Sequence, residues 1–278
     1  MHLAATINIF MNHRKTLSVL GTPIDAISWP DALATIAVWA TNRESRVVCI
    51  CNVHSVVTAS QDRAFGHVVN AADMATPDGA PVAWMLRRLG HVGQQRINGP
   101  DLMWRYCEAS QGMDCRAAVA MTGRADGSAI FLYGSSEETL AKLKVNLLTA
   151  FPALNIAGAI SPPFRALSPD EDATIVAQIN ESGAGVVFVS LGCPKQELWM
   201  AAHRGRIQAV MVGVGAAFDY HAGTIRRAPQ WMQNSGLEWL YRLASEPRRL
   251  WRRYLVTNTL FVMGALKQLF MEGTQLLK

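Results

Sequence analysis

Short apolar runs alternate with segments of helical periodicity along most of this chain. The apolar runs predict strands at residues 17–20, 47–51, 130–133, 155–159, 186–190 and 209–212. Apolar positions at helical spacing predict helices at residues 30–41, 135–151, 168–182 and 194–204. Strands that alternate with helices are typical of a mostly parallel sheet flanked by helices. The pattern therefore predicts an α/β, Rossmann-like fold.

The pattern changes after Gly223. Apolar and aromatic residues recur at helical steps through residues 238–255 with arginines among them, and Pro247 divides the segment into two predicted helices. We expect two domains: an α/β domain over residues 1–223, and a basic, aromatic, helical C-terminal appendage over residues 224–278.

Composition and charge narrow the class of protein. Half of the 278 residues are hydrophobic and 17% are charged, which suits a packed core and excludes a disordered chain. The net charge of +5 belongs to the C-terminus, because residues 226–278 hold nine Lys and Arg against three Glu. An almost neutral remainder argues against a nucleic-acid surface spread over the protein. For the appendage itself, arginine beside tryptophan favours an anionic membrane. A packed helix pair and nucleic acid remain alternatives.

Three further features predict a cytoplasmic protein. The five cysteines contain no CxxC pair, as expected in a reducing compartment. The apolar stretch at 3–11 precedes the basic residues 13–15, which is the reverse of the order in a signal peptide. No run of about 18 apolar residues predicts a membrane-spanning helix.

Asp78 is the first candidate for chemistry. It lies in the turn Thr76-Pro77-Asp78-Gly79, ahead of a predicted helix. Open α/β sheets bind ligands beyond the carboxyl ends of their strands, so a carboxylate in this turn suits an active site. The alternative is that Asp78 only caps the helix.

Two glycine turns predict a site for a nucleotide diphosphate. Gly192-Cys-Pro-Lys195-Gln196 follows the apolar run at 186–191, and Gly134-Ser135 follows the run at 130–133. A helix that begins after such a turn offers N–H groups and a positive dipole end to phosphate. Gly213-Val-Gly215 supplies two glycines of a dinucleotide fingerprint, but Phe218 stands in the third place, so the match is weak.

The sequence predicts neither a metal site nor a cofactor. Asp170-Glu-Asp172 matches a metal-binding Asp-x-Asp pattern, yet it falls in the first helical turn after a Ser168 capping box, where acidic residues favour the dipole. The seven histidines show no zinc-ligand spacing.

Taken together, several motifs resemble the WecG/TagA/CpsF family of glycosyltransferases. The likeness spans roughly residues 17–256. It rests on Asn52-Val-His-Ser, Thr76-Pro-Asp-Gly, Arg96-Ile-Asn-Gly-Pro-Asp-Leu, Gly192-Cys-Pro-Lys-Gln-Glu, Arg227-Ala-Pro-Gln-Trp-Met, Gly236-Leu-Glu-Trp-Leu-Tyr-Arg and Glu246-Pro-Arg-Arg-Leu-Trp-Arg-Arg-Tyr. The form Asn-Val-His-Ser-Val-Val is similar to the GumM-type exopolysaccharide subgroup.

The resemblance implies an inverting transfer of a sugar, of glucose or N-acetylmannosamine type, from a UDP-sugar to an undecaprenyl-diphosphate-linked sugar. It implies Asp78 as the general base, with Asn52 and Gln196 in the polar pocket. Some members have a threonine where this chain has Ile50, which puts a catalytic hydroxyl there in doubt. Arginines of the family's appendage, which meet the lipid diphosphate and the membrane, match Arg242, Arg249 and Arg252.

We therefore expect a peripheral enzyme on the inner face of the bacterial plasma membrane. The expected substrate-binding residues are Arg96, Gly134, Ser135, Gly192, Lys195, Gly213, Gly215 and the three arginines of the appendage. The apolar stripe of the appendage also allows a homo-oligomer. Two other classes stay open: a nicotinamide-dependent oxidoreductase that uses Gly213 and Gly215, and a non-catalytic, membrane-associated adaptor.

Overall fold

The computed structural model describes residues 14–112 and 127–275. Its strands are β1 (Thr16–Val19), β2 (Thr22–Asp25), β3 (Arg46–Cys51), β4 (Met74–Pro77), β5 (Ile130–Gly134), β6 (Ile156–Ile160), β7 (Val186–Ser190) and β8 (Val210–Gly213). Its helices are α1 (Trp29–Thr41), α2 (Val53–Gln61), α3 (Arg63–Asn70), α4 (Ala80–Arg88), α5 (Gly99–Gly112), α6 (Glu137–Ala150), α7 (Pro169–Glu181), α8 (Lys195–His203), α9 (Ala217–His221), α10 (Gln230–Asn234), α11 (Glu238–Ser245) and α12 (Pro247–Gln275).

Six strands form one sheet in the order β4-β3-β8-β7-β5-β6, and helices flank it. The pairings of β3 with β8, β8 with β7, β7 with β5 and β5 with β6 are parallel. Strands β5, β7 and β8 are buried along their whole length, as expected for central parallel strands covered on both faces. The predicted α/β, Rossmann-like class is confirmed.

The predicted strand at 17–20 lies outside this sheet. It forms β1, which pairs antiparallel with β2 in a separate two-stranded sheet. Leu20 and Gly21 link the two strands with positive φ angles of 52° and 86°, and a two-residue turn of this kind reverses the chain at once. The prediction of a strand was right, and its assignment to the parallel sheet was wrong.

The scattered glycines and small residues at 111–127 also predict a surface loop, and the structure describes only part of this stretch. Gln111 and Gly112 close helix α5, and residues 113–126 lie outside the described residues.

The described residues separate into two compact units. The first unit contains residues 14–35, 51–97 and 228–275, and the second contains residues 36–50, 98–112 and 127–227. The helices after residue 227 thus group with β4, α2 and α4 rather than by themselves. The functional boundary expected between residues 223 and 224 stays a prediction.

Helix α12 packs one of its faces within the first unit. Leu250, Thr257, Phe261 and Ala265 are buried at successive steps of seven, four and four residues, so they share one face. Gln268 extends this face, because its side chain accepts from the Leu20 amide at 2.9 Å and donates to the Ser18 carbonyl at 2.7 Å. The hairpin β1–β2 therefore braces the distal half of the helix.

The opposite face of α12 is apolar and exposed. Leu255, Val262, Met263, Leu266 and Phe270 point to solvent, with Leu266 63% and Phe270 76% exposed. Among the residues described, none of the helices combines the length and apolar character that crossing a bilayer requires. Two faces of this helix are therefore apolar: one is buried in the protein and the other is exposed.

Candidate active site

Asp78 stands at the carboxyl end of β4, in a turn that the backbone holds firmly. The Asp78 amide donates to the Cys51 carbonyl at 3.0 Å, and the Ile97 amide donates to the Pro77 carbonyl at 2.8 Å. The N-cap of the following helix α4 is Gly79, with a φ of 82°, and no side chain caps that helix. The N-cap position of α4 is thus Gly79 rather than Asp78, and the half-buried Asp78 lies just before it at the end of β4.

Asn52 follows the end of β3 and begins helix α2. Its side-chain oxygen accepts from the Ser55 amide at 3.2 Å and lies 3.4 Å from the Ser55 hydroxyl. Since the oxygen is engaged as an N-cap, the amide NH₂ is the part of Asn52 suited to donate to a substrate oxygen. Asn52 and Asp78 belong to the same unit, because the Asp78 amide bonds to the residue before Asn52.

Arg96 bonds to the appendage. Its Nη1 lies 2.9 Å from the Glu238 carboxylate at the first residue of α11, and its Nη2 lies 3.4 Å from the Gln233 side-chain oxygen. Gln233 is buried and donates in turn to the Ala228 carbonyl at 2.7 Å. Arg96 and Glu238 are each 20% exposed, so water and solutes still reach the ion pair.

A group of charges surrounds the Tyr254 hydroxyl on α12. Burial raises the pKa of Tyr254, and the guanidinium groups of Arg242 and Arg253 oppose that rise. The carboxylates of Glu238 and Asp78 raise the same pKa further. Asp78 therefore lies within electrostatic range of the Tyr254 hydroxyl, as do two cations of the appendage.

His54 adds a neutral side chain beside this group. Burial, and next the charge of Arg253, lower the pKa of His54 to about 4. Its Nδ1 lies 3.4 Å from the Thr58 hydroxyl within α2. At neutral pH the imidazole is therefore uncharged, and it can accept or donate a hydrogen bond without adding to the positive charge.

The three arginines predicted for the lipid diphosphate lie in different settings. Arg242 is half-buried and acts on Tyr254. Arg249 is exposed and lies 2.7 Å from Glu246 on the same helical turn. Arg252 is exposed, with its guanidinium carbon 5.4 Å from the centre of the Trp251 ring. Arg242 therefore belongs to the surroundings of Asp78, whereas Arg249 and Arg252 share the outer surface with exposed tryptophans.

In the second unit, the turn after β7 is open to a ligand. Gly192 has a φ of 77°, it is exposed, and no atom lies within 4 Å of the position that a Cβ would take. The peptide between Cys193 and Pro194 is cis. Helix α8 then begins at the exposed Lys195, and no side chain caps its N-terminus. This terminus suits an anion, as the sequence predicts.

The turn after β5 differs from it. Gly134 packs against the Ser190 carbonyl so closely that no Cβ fits, and the Ser135 amide donates to the same carbonyl at 3.1 Å. Ser136 caps helix α6, and Glu137 and Glu138 fill its first turn. Two carboxylates and an occupied cap disfavour phosphate at this terminus, so Gly134 and Ser135 shape the end of the sheet.

The turn after β8 is joined to Gln196. The Gln196 side-chain oxygen accepts from the Gly215 amide at 3.1 Å, and its nitrogen donates to Glu197 at 3.0 Å. A Cβ at Gly213 would lie 2.9 Å from that nitrogen and 2.8 Å from the Met200 methyl carbon. Position 213 is therefore a glycine because buried side chains pack against it. In a dinucleotide fingerprint, by contrast, the first glycines allow a tight turn and the close approach of a pyrophosphate. Gln196 positions this turn.

Two predicted motifs meet within the second unit. Arg227 donates to Asp101 and, at 3.3 Å, to the Asn98 side-chain oxygen. The Asn98 amide donates to the other oxygen of Asp101 at 2.6 Å. The motif that begins at Arg96 and the motif that begins at Arg227 are thus held together by side chains of each, which gives these residues a structural role.

The Asp170-Glu-Asp172 segment follows the predicted capping box. Ser168 accepts from the Glu171 amide, and the Glu171 carboxylate accepts from the Ser168 amide. Asp172 bonds to His203 at 2.8 Å and to Arg206 at 2.6 Å. Across residues 14–112 and 127–275, His, Cys, Asp and Glu form no group of three that is suited to a metal ion.

Sequence reasoning missed four residues of the first unit. His54, Glu238, Arg253 and Tyr254 lie close to the Asp78 turn or to its cationic neighbours. The helical phase of α12 supplied a signal for the last of these, because Tyr254 lies four residues after the buried Leu250 and three before the buried Thr257.

One comparison with known proteins bears on this arrangement. The family model described as "Glycosyl transferase WecG/TagA/CpsF family" matches residues 17–275. The match covers both compact units and includes helix α12.

Proposed function

The chain belongs to the WecG/TagA/CpsF glycosyltransferase family, and on that premise we propose that it transfers a sugar from a UDP-sugar to a sugar linked to a polyprenyl diphosphate, with inversion at the anomeric carbon. The family itself is one of membrane-associated glycosyltransferases of cell-surface polysaccharide synthesis. The donor, the acceptor and the stereochemistry are our inference.

One observation carries the proposal. Asp78 is a half-buried carboxylate at the carboxyl end of β4, and its charge acts on the same tyrosine hydroxyl as the charges of Arg242 and Arg253. A base close to cations suits a reaction in which a hydroxyl beside a lipid diphosphate loses its proton.

The chemistry needs a single displacement. An acceptor hydroxyl attacks the anomeric carbon from the face opposite to UDP, and the bond from that carbon to the UDP oxygen breaks. Asp78 takes the hydroxyl proton, and UDP departs with the electron pair of the broken bond. Asn52 orients the substrate through its amide NH₂, since its oxygen is occupied by the α2 cap.

The donor diphosphate suits the second unit. The N-terminus of α8 carries no side-chain cap, and Lys195 at its first position supplies a cation. Charge that develops on the departing UDP is stabilised by such a helix terminus and by a nearby ammonium group. Gln196 contributes indirectly, because it fixes the turn at Gly215.

The exposed apolar face of α12 suits a bilayer surface. Five large apolar side chains lie along it, and exposed Arg248, Arg249 and Arg252 precede them on the same helix. Trp231, Trp239 and Trp251 are also exposed, and tryptophan beside arginine is typical of the lipid headgroup region. We propose that this face meets the membrane that contains the acceptor.

A panel assay tests the proposed function. Purified protein is incubated with each of several UDP-sugars and a short-chain polyprenyl-diphosphate sugar, and the release of UDP and the anomeric configuration of the product are measured. Release of UDP that needs the acceptor, with an inverted product, supports the proposal. Product with retained configuration contradicts the mechanism, and the absence of transfer with all donors contradicts the substrate class.

The other two classes receive less support. For the oxidoreductase, the glycines at 213 and 215 are occupied by contacts with Gln196 and Met200, and the family match is to a transferase. A non-catalytic adaptor needs neither the uncapped, anion-suited terminus of α8 nor a carboxylate at the end of β4. Assignment to the GumM-type subgroup stays a prediction.

A further inference from the structure

The ion pair between Arg96 and Glu238 lies in an unusual place for a structural salt bridge. It joins the residue just before the buried Ile97 to the first residue of α11, with the two charges 2.9 Å apart. Each side chain is one-fifth exposed, and a pair this accessible contributes about 1 kcal/mol or less to folding. The contribution of this ion pair to folding stability is therefore too small to explain its position.

The neighbours of the pair are mostly cationic. Arg242 follows Glu238 by one helical turn on α11, and the charges of Arg242, Arg253 and Glu238 all act on the Tyr254 hydroxyl of α12. The edge of Trp239 meets the Tyr254 ring, with 6.0 Å between ring centroids, which brings the start of α11 against α12. Three guanidinium groups, those of Arg96, Arg242 and Arg253, therefore converge on the same region as Glu238.

A carboxylate and a phosphate group present similar oxygens to a guanidinium. Both accept two N–H donors in one plane, and arginine recognises both for that reason. A carboxylate of the protein that lies among three arginines thus occupies positions that phosphate oxygens of a ligand would take.

We propose that Arg96, Arg242 and Arg253 form a diphosphate site in the first unit, and that Glu238 is its internal counter-ion, which leaves Arg96 when the diphosphate binds. The inference rests on the proposed function, since the ligand it names is the diphosphate of the acceptor. The resemblance implied that Arg242, Arg249 and Arg252 bind this diphosphate. The inference keeps Arg242 and replaces the two exposed arginines with Arg96 and Arg253.

The exchange follows from charge. Glu238 balances one of the three arginines when the ligand is absent, so these four side chains carry a net positive charge. A diphosphate brings more negative charge than Glu238 removes, and it offers more acceptor oxygens to the same donors. Glu238 therefore keeps the arginines ordered without ligand and competes weakly with the ligand for Arg96.

Calorimetric titration with inorganic pyrophosphate tests the inference on the full chain. Removal of the competing charge in Glu238→Gln is expected to tighten pyrophosphate binding about ten-fold, which corresponds to about 1.4 kcal/mol. Glu246→Gln is the matched control, because Glu246 pairs with the exposed Arg249. It is expected to leave the affinity unchanged.

Further variants locate the bound anion. Adding Arg96→Gln or Arg253→Gln to Glu238→Gln is expected to abolish the gain, whereas adding Lys195→Gln is not, because Lys195 belongs to the donor side. Glu238→Asp keeps the charge but shortens the side chain, so it is expected to give an intermediate gain in pyrophosphate affinity. This variant replaces Glu238→Gln in the test if Glu238→Gln does not fold.

Three results overturn the inference: unchanged or weaker binding in both Glu238 variants, an equal gain in Glu246→Gln, or a gain that Lys195→Gln removes. Pyrophosphate binding needs no turnover, so the two proposals fail separately. If sugar transfer is observed but the Glu238 variants bind pyrophosphate no more tightly, only the counter-ion role of Glu238 is contradicted. If the Glu238 variants bind pyrophosphate more tightly but no transfer is observed, only the proposed reaction is contradicted.

Discussion

Gly236 lies directly against Ala80, the first residue after the Asp78-Gly79 turn. A Cβ at position 236 would come within 2.7 Å of the Ala80 Cβ, and Gly236 has a φ of 73°. The turn between α10 and α11 therefore touches the helix that begins beside the candidate base. Through this contact, the placement of the appendage and the placement of Asp78 depend on each other.

We expect Gly236→Ala to lower both stability and transfer. The positive φ costs about 1–2 kcal/mol for a side chain, and the contact with Ala80 adds steric repulsion. Chemical denaturation and the transfer assay measure the two effects.

Gly223→Ala is the control for this change, since Gly223 has the same φ of 73° with no atom within 4 Å of its Cβ position. It should lose stability through the backbone alone. The double variant Gly236→Ala with Ala80→Gly should recover part of the transfer activity. If Gly236→Ala and Gly223→Ala lose the same amount of transfer activity, the contact between Gly236 and Ala80 does not contribute to function.

Asp78→Asn should abolish most of the transfer while the fold persists. Loss of a general base typically slows a reaction 10²–10⁴-fold. Because backbone hydrogen bonds of Asp78 and Pro77 hold the turn, and the substitution keeps them, the protein should still show a cooperative thermal melt.

Asp31→Asn provides the comparison for Asp78→Asn, since Asp31 stands in the first turn of α1 and bonds to Ser28. It should retain full activity. Wild-type turnover in Asp78→Asn would exclude Asp78 as the base.

Charges on the exposed face of α12 should weaken membrane binding. Val262→Glu and Leu266→Glu each place a carboxylate among apolar residues that we propose to meet lipid. Each is expected to reduce association with anionic vesicles about ten-fold, since burial of one such side chain contributes roughly 1.5–3 kcal/mol at full insertion. Vesicle flotation measures the effect.

Leu148→Glu changes an equally apolar, exposed residue of helix α6 and should leave flotation unchanged. Should Val262→Glu and Leu266→Glu still float like the wild type while a dimer dissociates, the face would be an interface between copies of the chain.

His54 should make the protein less stable as the pH falls from about 6.5 to about 4. In the folded state its pKa is lowered to about 4, whereas in the unfolded chain it is near 6.5. Between these values only the unfolded state is protonated, so acid favours unfolding. The loss should be roughly 1–2 kcal/mol, because each pKa unit corresponds to about 1.4 kcal/mol and water screens the partly exposed ring.

His54→Asn should flatten this part of the pH profile relative to the wild type, as measured by urea denaturation at several pH values. His67→Asn, a change within the neighbouring helix α3, should not. A profile for His54→Asn that parallels the wild type between pH 4 and 6.5 would contradict the assignment.

The sequence identified the strands that are buried on both faces and the helices with strong caps. The runs at 130–133 and 186–190 are continuous and apolar, and the structure places β5 and β7 there. Strand β4 was missed because Met74–Pro77 is only four residues long and ends in proline, which is atypical within strands. Strand β2 was missed for a similar reason, since Pro23 lies within it.

Asp78 was predictable from its Pro-Asp-Gly turn ahead of a helix, and Asn52 from the family resemblance. The candidate site was less predictable where an interaction joins distant segments. Arg96 and Glu238 are 142 positions apart, and no local pattern indicates that they pair. The same holds for Gln196, whose partner Gly215 belongs to the next strand-to-helix turn. Local periodicity reports which face of an element is buried, but it does not report which element covers that face.

Helix α12 is a single element of 29 residues, and at 1.5 Å per residue it extends about 40 Å. An enzyme that rests on a bilayer along such a length searches for its lipid substrate by lateral diffusion in a plane. Its rate then follows the mole fraction of acceptor among the surrounding lipids rather than the amount of acceptor per volume of solution. Dilution of the acceptor with inert lipid would slow it, whereas dilution of the whole vesicle suspension would not, as long as the protein stays bound.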